Sequence, residues 1–414
     1  MSYTTYAQQN GIVLDAKTKD QLSRVNIYRQ RDYTGIGMTD NNGTFSISFL
    51  DNVDEADTIL FSSVGYHTMK TTKLLLKEHG YTVYLYEQTQ TLDEVVIQGR
   101  RQLLNQLEYV SLADLPKPLF SFASFLINDN IFVIAGDETS ISSSIEDHIV
   151  KQTTLEFRSH DIYIYDIFTD RWIKEPIKVA ARTGHMAHYN KGRAYVIGGR
   201  RYAPNRKLEY TDERMEVYDL SKDTIYVESY NPHQAVDFAS FIYNDCLYII
   251  GGAVKEKVYS DKIHMLDLKT GYWYDMDTIP KNRQRSCNGI LVEDMVYFFG
   301  GYRTSQMYDV SSYNLLTGEW KHLCDLPNAV SYPGLATDGK LIYIFENGVL
   351  QVYNIRTNSL QKYSLNEELN LEYSGLFYHE NKLYIVGGRK RDSMSLIPHA
   401  KTFSIDVNMI RMSE

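Results

Sequence analysis

The sequence predicts an all-β chain: a small β-sandwich over residues 1–98, a linker at 99–107 and a six-bladed β-propeller over 108–414. Two recurring phrases and one compositional bias predict it. The first phrase is an apolar strand that ends in glycine, and the second is a strand that ends in Asp or Asn. The bias is 34 tyrosines against 3 tryptophans. Tyrosine suits half-buried strands, where the ring packs and the hydroxyl reaches water or a backbone partner.

The amino-terminal unit alternates polar and apolar residues in short runs. Gly11–Asp15, Val25–Tyr28, Phe45–Phe49, Thr58–Ser62 and Tyr81–Tyr86 read as strands. Asp40-Asn41-Asn42-Gly43 reads as a hairpin turn rather than a calcium loop, because the downstream glutamate of such a loop is missing. Gly35-Ile36-Gly37 reads as a turn without the helix a phosphate cradle needs. Together with Phe61–Tyr66 and the closing Leu92-Asp93-Glu94-Val95-Val96-Ile97, these stretches resemble the carboxypeptidase regulatory-like domain, a transthyretin-like sandwich. The resemblance covers about residues 8–98. It implies a non-catalytic accessory module, often carried by exported proteins of Bacteroidetes-type bacteria. Thr5-Tyr6-Ala7-Gln8-Gln9 is similar to the end of a secretory signal without the apolar core such a signal requires; either the start is truncated, the preferred reading, or the resemblance is accidental. A periplasmic, cell-surface or secreted location is therefore expected.

Beyond the linker the chain repeats itself. The glycine-ended strand recurs at Ile131–Gly136, Ala194–Gly199, Leu247–Gly252, Val296–Gly301 and Leu383–Gly388, with a glycine-poor copy at Leu341–Phe345. The second phrase recurs as Tyr163–Asp166, Val217–Leu220, Met265–Leu268, Ser312–Leu315, Val352–Ile355 and Phe403–Asp406. Three copies lead to Trp172, Trp273 and Trp320, which are all the tryptophans present. Four strands recurring at this spacing describe a propeller blade, and a lone blade leaves both faces wet, so only the closed ring is stable. The pattern resembles the kelch repeat in six copies over about residues 108–414. Either Glu108–Pro116 or Met409–Met412 can supply the strand that closes the ring, and the first is preferred.

Composition narrows function. A net charge of −9 without a long basic run argues against nucleic-acid binding. There is no run of eighteen apolar residues, so no transmembrane helix is expected. Cys246, Cys287 and Cys324 match no zinc spacing and read as free thiols. No cofactor, metal or catalytic residue is assigned, and a monomer is expected. No Walker loop, dinucleotide fingerprint or G-x-S-x-G elbow is present.

In kelch-like blades the loops after the glycine pairs and those leading into the inner strands share one face. There the sequence collects cations: Arg182, Arg283 and Arg285 before inner strands, and Arg200, Arg201, Arg303, Arg389, Lys390 and Arg391 after glycines. A guanidinium fork suits carboxylate or sulfate. Tyr202, Tyr302 and Tyr332 are placed to stack on sugar rings. Arg182, His185, Arg200, Arg201, Asp237, Arg283, Arg285, Tyr302, Arg303 and Arg389 form the candidate ligand site for an anionic glycan or a protein partner. The bland alternative is a solvated face whose arginines pair with Asp137, Glu138, Asp212 and Asp237. Some kelch propellers are copper-radical oxidases, and others are sialic-acid mutarotases. The odd offset of His185 and His188, with no cysteine in an obvious glycine-face loop, disfavours the first. A mutarotase would clamp a sugar acid with Arg182, Arg283 and Arg285 and move protons with His185 or Asp237.

Overall fold

The computed structural model describes residues 10–29, 34–55, 57–63, 66, 68–86, 107–146, 149–203, 205, 208–392 and 395–410. Thr5–Gln9, Leu92–Ile97 and all but the end of the linker lie outside them. The chain divides into two compact units, Met1–Arg101 and Gln102–Glu414.

In the first unit, Asn10–Asp15 lies between Thr44–Ser46 and Thr82–Leu85 in a three-stranded sheet. A second sheet runs in the order Thr34–Met38, Asn26–Arg29, Thr58–Ser62, Met69–Thr72. Val13, Ile27, Phe45, Phe61 and Val83 fill the core from alternate positions of these strands. The Asp40 turn forms as expected. Its carboxylate accepts the N–H groups of Asn42 and Thr44 at 2.9 and 2.8 Å. Two expectations are corrected. Gly35–Gly37 lies inside a strand, and the run from Phe45 stops at Ser46, whose hydroxyl caps a 3-10 turn that buries Leu50.

The second unit is a closed ring. Its six sheets, four-stranded except that Glu209–Thr211 adds a fifth strand to the second, span residues 123–178, 183–230, 239–278, 289–330, 334–364 and 375–406, taken below as blades 1 to 6. Six apolar clusters, one at each junction of neighbouring blades, hold the ring together. The three tryptophans occupy equivalent places: Trp172, Trp273 and Trp320 face Tyr165, Leu266 and Tyr313 across the strand pair. Each sits in the cluster between its own blade and the preceding one.

The second phrase has a local cause. Asp166 accepts the N–H groups of Phe168 and Thr169, and Tyr165 donates its hydroxyl to Asp170 at 2.6 Å. The same hydroxyl-to-turn bond recurs as Tyr218–Asp223 and Tyr353–Asn358. The aspartate makes the turn and the tyrosine staples it to the sheet. The first phrase ends in glycine because backbones crowd there. A Cβ on Gly199 would stand 2.7 Å from the Thr183 carbonyl oxygen. Blade 5 lacks the glycine pair because an Asn347–Gly348 turn joins its middle strands directly. Buried Glu346 then accepts the N–H groups of Ser331 and Tyr332 at 2.7 and 3.0 Å.

Val110–Ser111 pairs with Thr402–Asp406 and becomes the outer strand of blade 6, so the amino-terminal side closes the ring. A second stitch crosses the same seam. The hairpin Ser140–Leu155 of blade 1 joins the hairpin Arg389–Pro398 of blade 6 through Ile141 and Leu396.

Candidate functional site

Where each blade turns into its innermost strand, one residue contributes to a ring around the channel mouth: Ser121, Gly184, Asp237, Cys287, Tyr332 and Tyr373. Backbone bonds link them. Ser121 donates to the Tyr373 carbonyl (3.2 Å), Gly184 to Ser121 (3.1 Å), Asp237 to Gly184 (3.1 Å) and Cys287 to Asp237 (3.2 Å). The Tyr332 N–H goes to Glu346 instead. Ser121, Asp237 and Tyr373 hold φ near +50°, a conformation that costs roughly 1–2 kcal/mol for such residues. Gly184 shares it, and a Cβ there would meet Val236 and the Asp237 carboxylate. The rigid circuit keeps these strained residues in place.

Above the ring lies a vestibule of about 140 Å³. Ser121, Asp137, Arg158, Arg200, Asp237, Tyr373 and Arg389 line it. Arg158 pairs with Asp137 and Glu209, both at 2.6 Å. Arg389 pairs with Glu372 at 3.1 Å and lies over the rings of Tyr373 and Phe120 at 4.6 and 5.0 Å. Arg200 is exposed and reaches Glu209 at 3.7 Å. The Asp237 carboxylate has no hydrogen-bond or ion-pair partner among the described residues. Burial pushes its carboxyl up to about 6, against the pull of Arg200 and Arg389.

The structure gathers three of the sequence-predicted residues here: Arg200, Asp237 and Arg389. The others are held elsewhere. Arg182 is fully buried, bonded to Glu216 and paired with Asp212 at 3.1 Å, because the blade closes over it. Arg285 is buried on Asp309 at 2.7 Å, and Arg283 stands 3.8 Å from the same carboxylate. Arg201 pairs with Asp212 at 3.2 Å. These four side chains therefore brace loops and are not placed to clamp a ligand. His185 is buried with Nε2 on the Ile134 carbonyl at 3.0 Å, and burial holds its pKa well below the ordinary value. Tyr302 and Arg303 are exposed on the blade 4 loop, outside the vestibule. Tyr202 donates to Glu156 at 2.8 Å.

His185 and His188 diverge as expected, since His188 bonds Ser240 of blade 3 at 2.7 Å while His185 turns to blade 1. Among the described residues no cluster of potential metal ligands occurs. The reading of the cysteines needs one correction: Cys287 does lie at the glycine end, in the ring itself, with its buried thiol against the Asn288 carbonyl at 3.1 Å. Arg158 and Tyr373 were missed. Arg158 follows the long blade 1 hairpin, which displaces it from the repeat spacing. Tyr373 is recoverable from the repeat, because it aligns with Ser121, Asp237 and Tyr332 ahead of the inner strands.

Comparison with known proteins follows the same division. Residues 150–348 match the KLHDC2/KLHL20/DRC7 Kelch-repeats domain, and residues 9–97 match the CarboxypepD_reg-like domain. Kelch-like protein 35 of Mus musculus is 26% identical over 221 residues, 53% of this chain and 33% of that protein. Kelch repeat and BTB domain-containing protein 8 of Homo sapiens is 23% identical over 237 residues, 55% and 36% of the two chains. The chain thus spans about a third of the length of these two relatives. Kelch-like protein terF of Aspergillus terreus is 23% identical over 384 residues, 82% and 75% of the two. The solved structure of YjhT shares the fold, with a TM-score of 0.56 at 13% identity over 70% of this chain and 95% of that one. No helix among the described residues is long and apolar enough to cross a membrane.

Proposed function

We propose that this chain, a kelch-repeat β-propeller protein with an N-terminal carboxypeptidase regulatory-like domain, is a recognition module for a glycan or protein partner outside the cytoplasm. The partner would place an anionic group in the vestibule. The observation that carries this reading is the convergence of Arg158, Arg200 and Arg389 on one small cavity with an aromatic wall. Three guanidinium groups line the cavity with two carboxylates, Asp137 and Asp237, while Glu209 and Glu372 pair with the arginines from outside the lining. Arg200 is the least committed of the three, and its exposed side chain can turn to a ligand. The resemblance of the amino-terminal domain to modules of exported proteins supports the location, and cell fractionation tests it.

Glycan and peptide arrays should return ligands carrying a carboxylate or sulfate. Combining Arg200→Ala with Arg389→Ala is expected to weaken them at least about tenfold, the loss of one charge-assisted bond. Replacing Arg283 and Arg285 by Ala should lower stability without changing affinity. Equal loss from both pairs would reject the vestibule as the site.

A second reading has its own observation. Asp237 is an unpartnered carboxyl whose pKa of about 6 suits proton transfer near neutrality. In this reading a sugar acid held by Arg200 and Arg389 undergoes anomer interconversion. NMR exchange on sialic and uronic acids would show acceleration by the wild-type protein and none by Asp237→Asn. Binding without exchange leaves the recognition reading alone.

Asp237 also makes a stability prediction. Its folded pKa lies above the ordinary value of 3.8, so the folded chain holds a proton the unfolded chain releases between about pH 4 and 6. Stability therefore falls as pH rises through that window, and the deficit persists above it. Asp237→Asn should raise unfolding free energy by about 1–3 kcal/mol at pH 8 and leave it unchanged at pH 4. Denaturant midpoints at the two pH values check this.

A further inference from the structure

Beneath the vestibule the axial channel widens into a cavity of about 420 Å³. The two spaces share Ser121, Gly184 and Tyr373 in their walls, yet they remain separate. Tyr332 lines the lower space and stacks on Tyr373, a wall residue that both spaces share. From blade 5 its side chain crosses the channel to the far side, where its hydroxyl donates to the Phe238 carbonyl of blade 3 at 2.8 Å and touches Met186 Sδ of blade 2 at 3.4 Å. Its ring stacks on Tyr373, with centroids 5.9 Å apart and planes 18° apart. The ring positions explain why one residue suffices. Ser121, Gly184, Asp237 and Cys287 place small side chains at four of the six positions, and the two tyrosines occupy the other two. Below the bar the lining becomes more apolar, with Phe125, Phe241, Ile290, Leu335 and Phe377 beside the polar Ser124, His188, Ser240 and Asn288.

We propose that Tyr332 is the specificity-determining residue of the mouth: a crossbar that sets the depth of the vestibule and excludes the body of a ligand from the apolar channel. The proposal rests on the vestibule being the ligand site. It follows that only a small anionic head group enters, while the rest of the ligand stays outside. The bar is fixed at both ends. Glu346 holds the Tyr332 backbone through its N–H, and the Phe238 carbonyl holds the hydroxyl. The backbone circuit is interrupted at Tyr332, so the bar hangs on these side-chain-assisted bonds and on stacking with Tyr373.

The test uses the full chain and straight-chain monocarboxylates from acetate to octanoate, with binding followed by NMR saturation transfer. In the wild type, affinity should not rise with chain length, because Tyr332 blocks the tail. In Tyr332→Ala each added methylene should enter the channel and tighten binding about fourfold until the cavity is full. Tyr332→Phe keeps the ring and should retain the wild-type profile. A crystal structure of Tyr332→Ala reads the bar without any ligand, and should show vestibule and channel joined. A mouth that stays closed in that structure, or an identical length profile in wild type and Tyr332→Ala, overturns the proposal. Failure of acetate to bind either protein while the structure shows a joined space rejects the vestibule as an anion site and leaves Tyr332 as the bar.

Discussion

A chain that begins at Lys117 is expected to lose cooperative folding of the propeller, whereas one that begins at Gln102 should keep it. The fifteen intervening residues contribute more than the two that pair in the outer strand of blade 6. Leu107 donates to the Ser364 carbonyl of blade 5 at 3.3 Å, and Leu112 and Leu115 donate to Thr402 and Ala400 of blade 6 at 2.9 and 2.7 Å. Ala113 accepts the Trp172 indole N–H of blade 1 at 2.9 Å and donates to Asp170 at 2.8 Å. Leu107 and Leu115 are buried in the clusters on either side of blade 6. Removing each such leucine side chain costs about 2–5 kcal/mol. Together with the lost backbone bonds, the sum reaches the 5–15 kcal/mol that typically stabilises a whole domain. Thermal unfolding should show one transition for the longer propeller and a broad, early loss of near-ultraviolet signal for the shorter. The hairpin stitch between blades 1 and 6 joins through one residue pair, Ile141 with Leu396, and cannot substitute for that buried surface. Matching melting curves for the two chains would show that the stitch suffices.

The ring was legible in the sequence because each part of a blade leaves a local mark. Glycines stand where backbones crowd, aspartates where turns need an acceptor, and tryptophans where neighbouring sheets splay. These causes act within a few residues, and a single chain reveals them through repetition. Blade 5 lost its glycine mark for an equally local reason, the two-residue turn that brings Glu346 under the loop. The site was legible only in part. Sequence placed the arginines at the glycine end, and Arg200 and Arg389 do line the mouth. It could not show which guanidinium groups are consumed internally, because Arg182 meets a carboxylate 34 residues away and Arg285 one 24 residues away. An arginine that binds a ligand and one that braces a loop look alike until the partner across the blade is known. Tyr332 shows the reverse error. Counted as one aromatic among several available for stacking on a sugar, it spans the channel, a role fixed by small residues at the same position in four other blades.

Glu216→Ala is expected to cost about 3–5 kcal/mol, the range for stranding one member of a buried ion pair, and to lower the melting temperature by roughly 10 °C. Arg182 is fully buried, and its guanidinium touches Glu216, Asp212 and the Gly198 carbonyl. Glu216 also accepts the Ala180 N–H on both carboxylate oxygens at 3.1 Å. Its removal strands a buried cation on a single carboxylate that already serves Arg201 and Arg214, and leaves a half-buried backbone N–H unpaired. An exposed pair gives the contrast: Lys191→Ala, which removes one of two lysines paired with Asp245, at 2.6 Å, should cost at most about 1 kcal/mol. Coupling Glu216→Leu with Arg182→Met should recover much of the loss, because Asp212 keeps its other two arginines and the buried charge is gone. That outcome would show the pair to be dispensable for stability alone. Its retention then has a positional reason. The Arg182 carbonyl accepts the Gly136 N–H of blade 1 at 3.0 Å, two residues before Gly184 takes its place in the ring. The guanidinium anchors the segment that sets the register of the mouth. The double variant should therefore melt near the wild-type temperature yet bind the vestibule ligand more weakly, and unchanged affinity would reduce Arg182 to packing.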